Sequence, residues 1–137
     1  EIVVAGIRLK SEKECYFLRP AELGCSWGSL YWESGDAADL ESKLNAQLAQ
    51  WTDTHGVKGF HNPHLQTSCV IAGQATTCHE VRFQGVLDTP SQIYHIAQIG
   101  RGEDATLFSC SYSTSGSMPG PCRQVFESRR TAQNRSF

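Results

Sequence analysis

In SCVIAGQATTCHEVRF, residues 68–83, two cysteines bracket a small-residue turn, and the second is followed at once by His79 and Glu80. These residue types can hold a metal, work as a general acid and base, or staple a hairpin. A zinc site wants cysteines two to four residues apart, or an equivalent His pair. Cys69 and Cys78 have eight residues between them, so the spacing favours a disulfide. Counting outward from a Gly73-Gln74 turn of type II′ sets Cys69 opposite Cys78 in a non-hydrogen-bonded pair, which a disulfide can span. Beyond the turn, Thr77, His79, Val81 and Phe83 share one face of the strand, and Cys78, Glu80 and Arg82 share the other. Adjacent His79 and Glu80 therefore cannot act on one atom together. His79 reads as a packed, hydrogen-bonded imidazole.

His95, on a later strand, is the residue that could join Glu80 in acid–base chemistry. His61-Asn-Pro-His64 resembles half a metal site, but no helix holds it and Pro63 fixes an extended or turn shape. No metal and no other cofactor is expected. Trp27 and Trp32 could form a sugar platform, although core and rim packing is the ordinary role of such aromatics.

The elements that must position these groups follow from periodicity. Leu40, Leu44, Leu48 and Trp51 form one helical stripe, giving a helix over about 36–55 with Asp36 as N-cap. Strands are expected at 2–9, around Leu30–Glu33, and at 65–71, 76–84, 92–99 and 105–113, the last two joined by a turn at GRGED. Residues 14–25 read as a small closed loop, and STSGSMPGP as a flexible one. A short terminal helix is expected in CRQVFESRRTA, docked by Val125 and Phe126. The closing stretch is locally basic, with Arg123, Arg129, Arg130 and Arg135, and reads as a solvated helix face. The fold class is thus α+β: an antiparallel sheet covered by an amphipathic helix and a short C-terminal helix, in one domain spanning 1–137.

Six cysteines, at 15, 25, 69, 78, 110 and 122, fall into three local pairs. The expected bonds are Cys15–Cys25, Cys69–Cys78 and Cys110–Cys122, in an oxidising compartment, so a secreted or periplasmic protein. The opening EIVVAG has no initiator Met, which fits a processed chain. The 137 residues carry a net charge of −2, with 39% hydrophobic and 19% charged residues. That composition supports a real core and gives no basic face for nucleic acid. No apolar run is long enough for a membrane span.

The order of strand, long helix, antiparallel strands and closing helix resembles the PsbP/Mog1-like α/β/α sandwich. LYWES, DLESKLNAQLAQW, CVIAGQATTCHEVRFQG, QIYHIAQIGRGEDATLFSCSYS and VFES with its closing RSF carry the resemblance over about residues 28–137. It implies a module that binds protein partners, with no shared catalytic set to carry over.

The expected function is a non-enzymatic binding protein, such as an inhibitor or immunity protein that blocks a toxin or hydrolase. Its surface would come from the polar and aromatic loops: Trp32, Glu33, Asp36, Phe60, His61 and His64, with Ser113–Pro119 as a third candidate. The alternatives are a small secreted hydrolase, a nuclease or glycan-cleaving enzyme, using Glu80 and His95, and a carbohydrate-binding module using Trp27 and Trp32. Two titratable side chains within hydrogen-bond reach inside one cleft would favour the hydrolase.

Overall fold

Leu40, Leu44 and Leu48 recur every four residues, and only a helix lays them in one stripe. That helix, α1, runs Ala37–Thr52 in the computed structural model, which describes residues 2–10, 15–52, 62–83 and 91–127. Asp36 caps it. Its Oδ2 accepts from the backbone N–H groups of Ala38 at 3.1 Å and Asp39 at 3.4 Å. At the other end, Asn62 donates its backbone N–H to the Thr52 carbonyl and its Nδ2 to the Trp51 carbonyl, so two carbonyls of the last turn find partners. The expected end of the helix at 55 lies outside the described residues.

The stripe of α1 packs on Val81, Ile96, Ala105 and Leu107 of a seven-stranded antiparallel sheet. Its strands are β3 (Cys15–Arg19), β4 (Glu22–Cys25), β5 (Gly28–Gly35), β6 (His64–Ile71), β7 (Gln74–Phe83), β8 (Gln92–Ile99) and β9 (Ala105–Ser113), in spatial order β3-β4-β5-β9-β8-β7-β6. The expected bounds of the strands at 92–99 and 105–113 hold. Two meanders, β3–β5 and β6–β9, meet at one seam, where Gly28–Gly35 pairs with Ala105–Tyr112. Gly28 is required there: a Cβ would stand 2.3 Å from the Ser111 carbonyl oxygen.

Strand alternation sends the other set of side chains to the opposite face. There Leu23, Leu30, Trp32, Ile93, Ala97 and Phe108 form the larger core. A small hairpin, β1 (Ile2–Val4) and β2 (Ile7–Leu9), and a second helix, α2 (Gly120–Phe126), cover it with Val4, Leu9, Val125 and Phe126.

All three expected cysteine pairs are disulfide-bonded. They fit an oxidising environment. Cys15 and Cys25 face each other directly in the β3–β4 hairpin, with Cα atoms 4.1 Å apart, so residues 15–25 are a hairpin rather than a loop, and residue 14 lies outside the described residues. Cys110–Cys122 fastens α2 to β9.

The register expected around Cys69 and Cys78 is corrected. The turn is Ala72-Gly73, with φ of 52° and 78°, and Ile71 pairs with Gln74. Cys69 then faces Thr76, and Cys78 faces Thr67. The disulfide joins a diagonal pair on one face, at a Cα separation of 5.9 Å. Positive φ at both central residues is the type I′ geometry that matches strand twist, with Gly second rather than first. Residues 2–9 repeat the lesson: the single expected strand is two, broken at Ala5-Gly6 with φ of 51° and 84°. The loop at 113–119 is anchored. Trp27 donates its indole N–H to the Ser117 carbonyl at 2.6 Å, and its ring packs on Gly116.

Candidate functional site

On the sheet face turned away from α1, three neighbouring strands present polar side chains in a row. The β7–β8 register sets Glu80 opposite His95, and Tyr112 lies diagonally next to His95 on β9. Arg123 and Phe126 of α2, with Glu127 behind them, wall one side of a cleft of about 680 Å³. That volume falls in the range of small-molecule sites.

His95 is the centre of the row. Its Nε2 lies 3.0 Å from the Tyr112 hydroxyl, and its Nδ1 lies 3.9 Å from Glu80 Oε1. The first is a hydrogen bond; the second is too long for one. Glu80 is held from its other side by Arg82, whose Nε donates to Oε2 at 3.1 Å. The imidazole stacks on the Tyr112 ring, and its other neighbour is Phe126. Burial raises the Tyr112 pKa, and the Glu80 carboxylate pushes the same way, so the phenol stays protonated at neutral pH. The row can therefore donate and accept protons. Cys78 and Cys110 beside it are locked in disulfides and supply no thiolate.

The residues expected to bind a partner do not converge. Trp32 is corrected outright: it is only 5% exposed, in the core between β5 and α2. Strand alternation turns it inward while Tyr31 turns out. Glu33 hydrogen-bonds Lys43 of α1, and that contact raises the lysine pKa. Asp36 caps α1. Phe60 and His61 lie outside the described residues. His64 is exposed on β6, where it meets His79. By contrast, Glu80 and His95 do come together. Tyr112 was missed, although the alternation Phe108, Cys110, Tyr112 places it on the cysteine face. Arg123, expected on a solvated helix face, lines the cleft on α2, which the Cys110–Cys122 bond fastens to β9.

A second surface stands at the far end of the sheet. α1 packs on β5, β7, β8 and β9, leaving the same face of β3 and β4 uncovered. Tyr16 and Leu18 of β3 and Tyr31 of β5 lie there, 66%, 64% and 41% exposed. Leu18 lies across Gly24, where a Cβ would come within 2.3 Å of its Cδ1. The glycine thus leaves a shelf on which an apolar side chain rests in the open.

Among the described residues, no helix is long and apolar enough to cross a membrane. No family model, curated protein or solved structure matches this chain. The likeness to the PsbP/Mog1-like sandwich rests on element order alone.

Proposed function

We propose that this chain is a non-enzymatic binding protein of a secreted or periplasmic setting. It acts by covering another protein, as an inhibitor or immunity protein covers a toxin or hydrolase. One observation carries the reading: Tyr16 and Leu18 stand exposed on a hairpin that Cys15–Cys25 closes, with exposed Tyr31 on the next strand. Exposed apolar clusters mark interaction surfaces, and tyrosine is prominent among the residues that dominate binding energy. A cross-linked hairpin loses little freedom when it docks, which favours affinity. The surface differs from the loops the sequence pointed to, while the class of partner stays the same.

The test begins with capture from the native compartment and identification of the retained protein. Purified partner is then titrated against Tyr16→Ala and Tyr31→Ala. Each should weaken the complex by about 2 kcal/mol, roughly thirtyfold. Unchanged affinity in both variants would remove the surface from the proposal.

A second reading, a small hydrolase, draws support from the Glu80–His95–Tyr112 row in its cleft. His95→Ala and Glu80→Gln should then abolish a turnover that Tyr16→Ala leaves intact. The carbohydrate reading draws no support from Trp32, which is in the core, or from Trp27, whose indole N–H bonds the Ser117 carbonyl.

A further inference from the structure

His64 and His79 meet across the edge of the sheet, on the face of β7 opposite Glu80, although His79 also borders the cleft. β6 is the last strand of the sheet, and its register sets His64 opposite Val81, two residues beyond His79 on β7. Residues two apart share a face, so both imidazoles emerge on the α1 side, opposite Glu80. Nε2 of His64 lies 3.0 Å from Nδ1 of His79. The ring centroids are 5.2 Å apart and the planes are tilted by 34°. His64 is exposed, and His79 is half-buried beside Glu41, Asn45 and Thr77.

One shared proton between two neutral rings accounts for this approach. So does one cation, since the ring nitrogens of both residues converge. Metal–nitrogen bonds of about 2.0–2.1 Å, reaching nitrogens 3.0 Å apart, subtend roughly 90–100° at the ion. That is the angle between neighbouring ligands in a square-planar or tetragonal ion, and it is narrower than the tetrahedral angle zinc prefers.

We propose that His64 and His79 form a two-histidine site for a divalent copper or nickel ion, copper binding the tighter of the two. The ion replaces the proton between the rings. Ligation needs neutral imidazoles. Among the described residues no third His, Cys, Asp or Glu completes a cluster. With two protein ligands the ion is exchangeable rather than structural. The site does not depend on either functional reading above.

Calorimetric titration of the whole chain with Cu²⁺ near neutral pH, with electron paramagnetic resonance on the product, tests this. The expected result is saturable one-to-one binding with two nitrogen couplings. His64→Gln and His79→Gln should each weaken it by at least roughly tenfold, a loss that even changes behind a ligand can cause. His95→Gln should leave it unchanged. Circular dichroism checks that each variant folds. In the unsubstituted chain, Cu²⁺ should broaden the ring resonances of His64 and His79 first, which reads the site without any substitution. Absence of saturable binding, binding that survives either substitution, or broadening centred elsewhere overturns the proposal.

Discussion

At the β3–β5 end of the sheet, Tyr16, Leu18 and Tyr31 lie exposed on the α1 face, beyond the strands on which the described helix packs most. At the β6–β8 end, polar groups predominate, His64, His79, Glu80 and Arg82, with Leu65 an isolated exposed apolar side chain. Both ends are hairpins with one disulfide each, yet the bonds sit differently. Cys15–Cys25 joins directly opposed residues, and Cys69–Cys78 joins a diagonal pair. The same kind of staple thus braces an exposed apolar patch at one end and titratable side chains at the other. The two surfaces also lie on opposite faces: Tyr16, Leu18 and Tyr31 share the α1 face, beyond the strands α1 packs on, and Glu80 and His95 lie on the face turned away from it.

The contrast is sharpest at neighbouring residues of one strand. Trp32→Ala should cost about 3–5 kcal/mol of stability, as large core truncations do, while Tyr31→Ala should stay within about 0.5 kcal/mol. Urea melts of the two variants check this. Similar losses would mean that the apolar end is not a free surface.

Leu44→Ala should cost about 2–4 kcal/mol, because the side chain is buried against the sheet. A loss near zero by the same measurement would detach α1 from the face it is said to divide.

Replacing Cys15 and Cys25 by Ser should cost about 2–3 kcal/mol, the scale expected for a loop of this size. Hydrogen exchange should then rise in β3 and β4 and hardly at all around His95. Uniform loosening would show that the two ends are not separately braced.

The smallest effect concerns His79. Its pKa in the folded chain lies below the ordinary 6.5, so the unfolded chain takes up this proton first as pH falls. Stability from this group is therefore fully present above about pH 6.5 and declines as pH drops toward the folded value. His79→Gln should flatten the dependence of the thermal midpoint on pH below neutrality. An unchanged slope would place the titration elsewhere.

Strong local periodicity made much of this fold legible. The stripe Leu40, Leu44, Leu48 gave α1, and alternation between turn signals gave β8 and β9. Cysteine spacing alone gave the three bonds. The two displaced turns share one cause. Ala5-Gly6 and Ala72-Gly73 adopt positive φ at both residues, which an alanine does not announce. Misplacing the second turn shifted a whole register. Trp32 was misjudged for another reason: within LYWES, Leu30 and Trp32 alternate with Tyr31, and that alternation already held the inward direction. For the cleft, Glu80 and His95 were within reach of the sequence. Tyr112 needed the strand order, and Arg123 needed the docking of α2 that Cys110–Cys122 enforces.

The β5–β9 seam carries a kinetic consequence. Each disulfide closes a short stretch, at separations of 10, 9 and 12 residues, and no bond joins one meander to the other. Each meander can thus pair its own neighbours early, by fast local events. Joining them requires residues 28–35 to find 105–112 across the whole middle of the chain. Such a non-local pairing carries the largest loop-closure entropy and sets the pace of folding. Gly28, at the closest approach in that seam, is therefore a position where one added methyl group should slow assembly of the whole sheet while both halves still form.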